Sequence, residues 1–136
     1  MSVPKPLPSL EGLNGDFYRA LSDGTLRFQR CSDCGHFRHP PRYRCASCGS
    51  AAAEWAASEG RGEVFTWTVT HQAMHPAFAE DVPYAVVVVE LREGVRLVCG
   101  LRDLAPERLE LGLPVEIVLE RVSDEVLLPY ARPANA

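Results

Sequence analysis

Cys31, Cys34, Cys45 and Cys48 are the residues whose type and spacing point to definite chemistry. They form two CxxC pairs, Cys31-Ser-Asp-Cys34 and Cys45-Ala-Ser-Cys48, each followed by glycine (Gly35, Gly49), with ten residues between the pairs. A tetrahedral zinc ion takes four thiolates at about 2.3 Å. A CxxC pair on a tight turn supplies two of them, and the glycine lets the backbone curl back toward the sulfur. Two such knuckles complete the coordination sphere and leave no position for water, so the metal they imply is structural. Iron suits the same cage, and ligand type alone does not separate the two metals. Paired disulfides need an oxidising compartment. The chain opens Met-Ser-Val-Pro without an apolar signal segment, so a cytoplasmic protein is expected. Cys99 lies in the apolar run Val95–Leu101 and reads as a small buried hydrophobe.

The remaining chemistry-bearing groups are weaker candidates. His71 and His75, with Glu80 or Asp81 as an orienting acid, could form a general base. No serine or cysteine near them sits in a nucleophile turn, and a lone histidine at a strand end is ordinarily a hydrogen-bonded surface group. His36 and His39 are replacement ligands only for a damaged knuckle, because four thiolates already satisfy the metal. Arg27, Arg30, Arg38, Arg42 and Arg44 surround the first knuckle, where Asp33 is the only acid between residues 27 and 44. Two roles are open to these arginines. They can offset the dianionic metal-thiolate centre, or hold an anion such as the phosphates of a nucleotide-bearing cofactor.

Size and charge bound the function. The chain has 136 residues and a formal charge of −4, which becomes −6 with four thiolates and one divalent ion. Lys5 is its only lysine. An acidic chain gains no counterion-release energy on a polyanion, which disfavours nucleic acid as a partner. No apolar run approaches the ~18 residues of a membrane span.

The elements that must position the cysteines divide the chain into three. Residues 1–30 form an extended Pro4/Pro6/Pro8 arm and a helical segment. In that segment Phe17, Ala20 and Leu21 share one face, and Asn14 or Asp16 is the expected cap. Thr25–Gln29 alternates like a short strand entering the metal site. Residues 31–55 hold the two knuckles with almost no apolar core, so metal binding must stabilise them. Residues 56–136 read as all-β. In Gly62–His71, Phe65, Trp67 and Val69 are expected on one face and the threonines on the other. Pro83–Leu91 reads as a strand buried on both faces. It enters a hairpin through Glu93-Gly94, with Val95–Leu101 returning. A helical turn at Pro106–Leu109, a strand at Val115–Val122 and a last one at Val126–Leu128 complete five strands. That order is the order of an OB-fold, a small Greek-key barrel.

A set of local words appears in fixed order across residues 14–133. Cys34-Gly35 is followed by Pro40-Pro41-Arg42 and the second knuckle. Gly60-Arg-Gly62 then leads into Glu63–His71. Pro83-Tyr84, Val89–Gly94, Leu111-Gly-Leu-Pro-Val115 and Leu128-Pro-Tyr-Ala-Arg-Pro133 complete the set. Together they resemble the acyl-CoA-associated zinc-ribbon/OB-fold family, long filed as domain-of-unknown-function family thirty-five. The resemblance implies a mainly β fold with an N-terminal helical segment, a rubredoxin-like zinc ribbon and a five-stranded OB barrel. It also implies a noncatalytic accessory subunit in a hetero-oligomer with a thiolase-like protein, such as an acyltransferase or the aldolase of steroid side-chain breakdown. Some members instead pair with hot-dog-fold enoyl-CoA hydratases. Of the site residues, only the four cysteines carry over as metal ligands.

Whether a CoA ester, shared with the partner, touches this chain stays open. A pantetheine arm needs a narrow apolar slot and an adenine favours an aromatic or arginine plane. A crevice between ribbon and barrel lined by Pro40, Arg42, Trp67 and Tyr84 would suit both. The same residues also serve as ribbon stiffener, core filler or partner seal. Two rivals remain: a single-strand nucleic-acid binder stacking bases on Phe65 and Trp67, and a small acyl-CoA hydrolase or hydratase using His71.

Overall fold

Residues 4–10 run without regular secondary structure along the outside of the protein, in a computed structural model that describes residues 4–134. The first three residues of the proline-rich arm and the last two of the chain lie outside it. Lys5 ties the arm down by pairing with Asp81 at 2.7 Å. Helix α1 then spans Gly12–Ala20. It starts earlier than expected: Glu11 is the N-cap residue and makes no side-chain cap, while Asn14 and Asp16 fall inside the helix. Asp16 pairs with Arg19 at 2.7 Å instead. The early start is possible because Gly15 lets the Leu10 carbonyl lie directly on the helix, where a side chain would collide with it. Phe17 and Leu21 form the buried face.

Strands β1 (Arg27–Cys31), β2 (Phe37–Arg38) and β3 (Ala53–Ala57) make an antiparallel sheet in the order β2-β1-β3. It carries both knuckles. Strands β4 (Arg61–Thr70), β5 (Tyr84–Leu91), β6 (Arg96–Leu101), β7 (Pro114–Arg121) and β8 (Leu127–Pro133) close into a barrel in the order β4-β5-β6-β8-β7. A short helical turn at Pro106–Arg108 separates β6 from β7. This is the OB-fold anticipated from the strand order. All neighbours are antiparallel except β6 and β8, which pair in parallel through Gly100↔Tyr130 and Leu101↔Ala131 alone.

Two strands depart from their expected patterns. β5 is buried on one face only: Ala85, Val87, Val89 and Leu91 point inward, while Val86, Val88 and Glu90 are half-buried on the outer surface. A β-bulge between Val64 and Thr66 breaks the alternation of β4. Val64 is therefore buried, whereas Phe65 turns outward and is 41% exposed. Trp67 pairs with Val87 and packs on the core. An extra residue in one strand flips every side chain before it relative to those after it. That is why Phe65 does not share a face with Trp67.

One core joins the parts. Phe17, Leu21, Leu26 and Phe28 from helix and ribbon belong to the same buried cluster as Val64, Val87, Val89, Leu97 and Val115 from the barrel. Cys99 is in it too, and burial pushes its thiol up to about 12. At the β4–β5 crossing Gly62 has no room for a side chain, because a Cβ there would strike the Glu90 carbonyl and the Leu91 Cα. Gly62→Ala is therefore expected to lower unfolding free energy by about 2 kcal/mol or more in urea titration. Gly94→Ala, in open space at a turn with φ of 91°, should cost about 1 kcal/mol.

Candidate metal centre and adjoining crevice

The two knuckles repeat each other hydrogen bond for hydrogen bond. The N–H of Cys31 donates to the His36 carbonyl at 2.8 Å, and the N–H of Gly35 donates to the Cys31 carbonyl at 2.9 Å. In the second knuckle Cys45 donates to Ser50 at 2.9 Å and Gly49 to Cys45 at 2.8 Å. Both turns need the left-handed backbone, with φ of 80° at Gly35 and 78° at Gly49. The four sulfurs lie within 4.8 Å of one another. Cys31 and Cys48 are 3.6 Å apart, Cys34 and Cys45 3.5 Å. Tetrahedral coordination at 2.3 Å places sulfurs about 3.8 Å apart, so the cage fits a thiolate-bound metal without rearrangement.

Backbone amides prepare the first sulfur of each knuckle for it, while the second thiols, Cys34 and Cys48, are held up beside the neighbouring sulfurs. The N–H of Cys34 lowers the Cys31 thiol to about 6, and the N–H of Cys48 lowers that of Cys45. The Ser47 amide also donates to Cys45 Sγ at 3.4 Å. His36 Nδ1 lies 3.3 Å from Cys34 Sγ, where an imidazole supports a ligand from behind.

The arginines have a role that neither sequence reading named. Arg30 donates to the Gly35 carbonyl at 3.2 Å, and Arg44 to the Gly49 carbonyl at 3.0 Å. Each residue directly precedes its knuckle's first cysteine and ties down the glycine that ends the turn. The signal was readable as a duplicated word, Arg-Cys-x-x-Cys-Gly at residues 30–35 and 44–49. Arg38 holds the loop between them: its guanidinium donates to Gln29 Oε1 at 3.1 Å and to the Arg42 carbonyl at 2.9 Å. The buried Gln29 also accepts from the Arg42 N–H at 2.8 Å. Arg27 closes on Asp23 and the Ala20 carbonyl.

A crevice of about 270 Å³ lies where ribbon, helix and barrel meet. Tyr18 from α1, His39 and Pro40 from the ribbon loop, Cys99 from β6 and Tyr130 from β8 are among its walls. Of the four residues expected in such a crevice, the structure brings only Pro40 to it. Arg42 is exposed on the ribbon loop, and Trp67 is turned inward by the bulge. Tyr84 packs at a tilt against Phe78, 5.8 Å between ring centroids, near the arm. The residues that sequence reasoning missed, Tyr18 and Tyr130, line one crevice because helix and barrel pack on the same core. Gly100 is the tell-tale: a Cβ there would sit 2.6 Å from the Tyr130 ring. Arg102 covers Tyr130 at 3.7 Å to the ring centroid.

The other histidines take ordinary places. His71 and His75 are exposed, and His75 Nδ1 accepts from the Ala77 N–H at 3.0 Å, capping a short turn. Asp81 is engaged by Lys5. Phe65, a proposed stacking platform, is itself covered by the Arg96 guanidinium at 3.8 Å. Among the described residues no helix is long and apolar enough to cross a membrane.

A thiolate knuckle pair carried on a short sheet and joined to an OB barrel defines a zinc-ribbon/OB-fold protein. The family model for the ChsH2 rubredoxin-like zinc ribbon domain matches residues 19–54, and that for the ChsH2 C-terminal OB-fold domain matches residues 55–120. The chain is 33% identical over 97 residues to a DUF35 domain-containing scaffold protein of Methanocaldococcus jannaschii, covering 71% of this chain and 68% of that one. It superposes on a solved chain of the Ltp2-ChsH2(DUF35) aldolase with a TM-score of 0.85 and 38% identity, covering 95% of this chain and all of that one. The chain belongs to the DUF35 family.

Longer relatives match as well. A probable enoyl-CoA hydratase alpha subunit of Thermomonospora curvata is 38% identical over 130 residues, covering 96% of this chain and 40% of the relative. The 3-oxo-4,17-pregnadiene-20-carboxyl-CoA hydratase alpha subunit of Mycobacterium tuberculosis is 37% identical over 99 residues, covering 73% of this chain and 31% of the relative. The chain thus spans less than half the length of these two proteins.

The crevice generates a pH prediction. His39 packs between Phe17 and Phe28, 4.8 and 5.1 Å from their ring centroids, and burial lowers its pKa from 6.5 to about 4. Above pH 6.5 the ring is neutral in folded and unfolded chains, so its contribution to stability is complete. As pH falls toward 4 the unfolded chain takes up a proton that the folded one refuses, and stability is lost. This amounts to about 2 kcal/mol at pH 5. His39→Phe shares the metal site but lacks this titration. Urea unfolding of both proteins at pH 7 and pH 5 should show the wild type losing about 2 kcal/mol more than the variant.

Proposed function

We propose that this chain is a noncatalytic accessory subunit of an acyl-CoA-processing complex, seated on a thiolase-like enzyme and stabilised by one structural zinc ion. The observation that carries this reading is the near-complete superposition on a chain of the Ltp2-ChsH2(DUF35) aldolase at 38% identity. The site's chemistry agrees with it. Four thiolates fill a tetrahedral ion's coordination sphere, so the zinc they would hold lends rigidity and offers no position to activate water. Neither His71 nor His75 is hydrogen-bonded to a serine or cysteine among the described residues. Docking has a suitable surface on the outer barrel, where Val98 is 62% exposed beside the half-buried Val86 and Val88. The adjoining crevice, walled by Tyr18, Pro40 and Tyr130, is of a size for a narrow pantetheine or acyl arm shared with the partner enzyme.

A hot-dog-fold hydratase is the second candidate partner, favoured by the hydratase names of the two longer relatives. Nucleic acid is a poorer fit, since Trp67 is turned inward and Phe65 is occupied by Arg96.

Two measurements test the reading. Elemental analysis of the purified chain should find one zinc ion, and Cys45→Ser should lose it, lowering Tm by about 10 °C or more. Iron or no metal in the intact protein overturns the zinc assignment. Co-expression with a thiolase-like protein encoded alongside should give a stable complex, with the enzyme insoluble or inactive without this chain. A folded, zinc-loaded chain that binds neither that enzyme nor a hydratase subunit counts against the accessory role.

A further inference from the structure

The barrel closes on itself, but the ribbon sheet does not. In the order β2-β1-β3 the strand β3 pairs, among the described residues, only with β1, leaving its other side free of another strand. The ladder fixes which groups face outward. Ser58 donates to the Leu26 carbonyl at 2.9 Å and Ser32 donates to the Ala52 carbonyl at 3.0 Å. With Arg27 opposite Ala57 and Cys31 opposite Ala53, antiparallel alternation directs the backbone of Glu54 and Ala56 at β1. The N–H and C=O groups of Ala53, Trp55 and Ala57 therefore point away from the sheet.

Exposed edges are ordinarily guarded by lysine, proline, a bulge or a covering element. Residues 51–57, Ala-Ala-Ala-Glu-Trp-Ala-Ala, contain no lysine and no proline. Ala53, Glu54 and Ala57 are exposed, and Trp55 is half-buried. The side chains are small enough for a second strand to approach.

We propose that β3 is a self-association site, at which two copies of this chain pair β3 against β3 antiparallel with Trp55 opposite Trp55. The register follows from hydrogen-bond parity and charge. Only pairings that set outward-facing residues opposite each other can bond, which excludes a shift of one residue. With Trp55 on the two-fold axis, Ala53 meets Ala57 of the second copy, and all three outward residues of each strand exchange both bonds, six in total. Glu54 then lies opposite an alanine, Ala56 of the second copy. Sliding two residues one way sets Glu54 against Glu54 and leaves four bonds, and sliding the other way also leaves four. Like charges directly opposite destabilise a sheet, whereas an aromatic pair supports it. The two ribbon sheets become one of six strands with a metal knuckle pair on each side. This association does not depend on the acyl-CoA enzyme, and it stands or falls apart from that reading.

One five-residue strand pair is smaller than the roughly 800 Å² per partner of a stable interface, so the dissociation constant should lie between about 10 µM and 1 mM. Sedimentation equilibrium of the full chain alone should show the average mass rising from 15.0 kDa toward twice that value over this range. The double variant Ala53→Pro/Ala57→Pro removes donors that β1 does not use and so leaves the internal ladder intact. It should sediment as monomer with unchanged circular dichroism and metal content. Amide exchange on the unmodified chain needs no variant: at 1 mM chain Ala53, Trp55 and Ala57 should gain protection that tracks the dimer fraction, from about twofold at the weak end of this range to about tenfold at the tight end. A chain that stays monomeric at 1 mM, or association that survives in a folded double variant, overturns the proposal. So does protection of these amides that appears only when an acyl-CoA enzyme is added, which would assign the edge to that partner.

Discussion

Everything in this protein hangs on the aromatic packing that locks the helix to the ribbon and carries both into the core they share with the barrel. Phe28 reaches from β1 into the core, and Phe17 stacks beside it from α1, 6.2 Å between ring centroids. Trp55 joins from β3 at 6.3 Å. These contacts compensate for what the knuckles lack. A loop held by four sulfurs has almost no apolar interior, and metal bonds fix its shape without fixing where it sits. The apolar face shared with the barrel supplies that second constraint. Burial also keeps His39 neutral within the aromatic group, so the same contact that positions the ribbon makes it sensitive to acid.

Much of this architecture was legible in the residues. The CxxC spacing defined the metal cage because ligand count and turn geometry are local properties, and the distances between sulfurs bear that out. Strand order and the helical turn before β7 identified the barrel because each strand carries its own β-branched run. What failed were statements about faces. Phe65 and Trp67 look equivalent in an alternating string, but the bulge at Phe65 separates them. No single residue announces a bulge, since it arises from the fit between two strands. β5 looked buried on both sides because valine repeats in it, yet the structure leaves its outer side without a covering layer among the described residues. The walls of the crevice were illegible for a related reason. Tyr18 and Tyr130 are 112 positions apart and share a crevice only once the helix packs beside the barrel, so spacing could not have paired them.

The arginines show the opposite kind of oversight. Their clustering speaks of charge alone, which suits screening the metal centre or binding an anion. The structure supports a more local role for Arg30 and Arg44. Each guanidinium ties its donors to a carbonyl five residues ahead, bracing the turn that presents the sulfurs. The planar guanidinium suits this work, because it can span a turn while its other nitrogens remain hydrated. Each knuckle is thus a self-contained unit of cysteine pair, glycine and brace.

The barrel's parallel seam has a mechanical consequence. β6 and β8 meet over two residue pairs, against seven between β7 and β8, with Arg102 adding a bond to the Ala131 carbonyl at 2.8 Å. This is the shortest stitch in the cylinder, and the crevice opens directly over it through Gly100 and Tyr130. A molecule lodged there would bear on the joint that keeps the cylinder shut, because Gly100 and Tyr130 belong to both the crevice and the thinnest part of the wall.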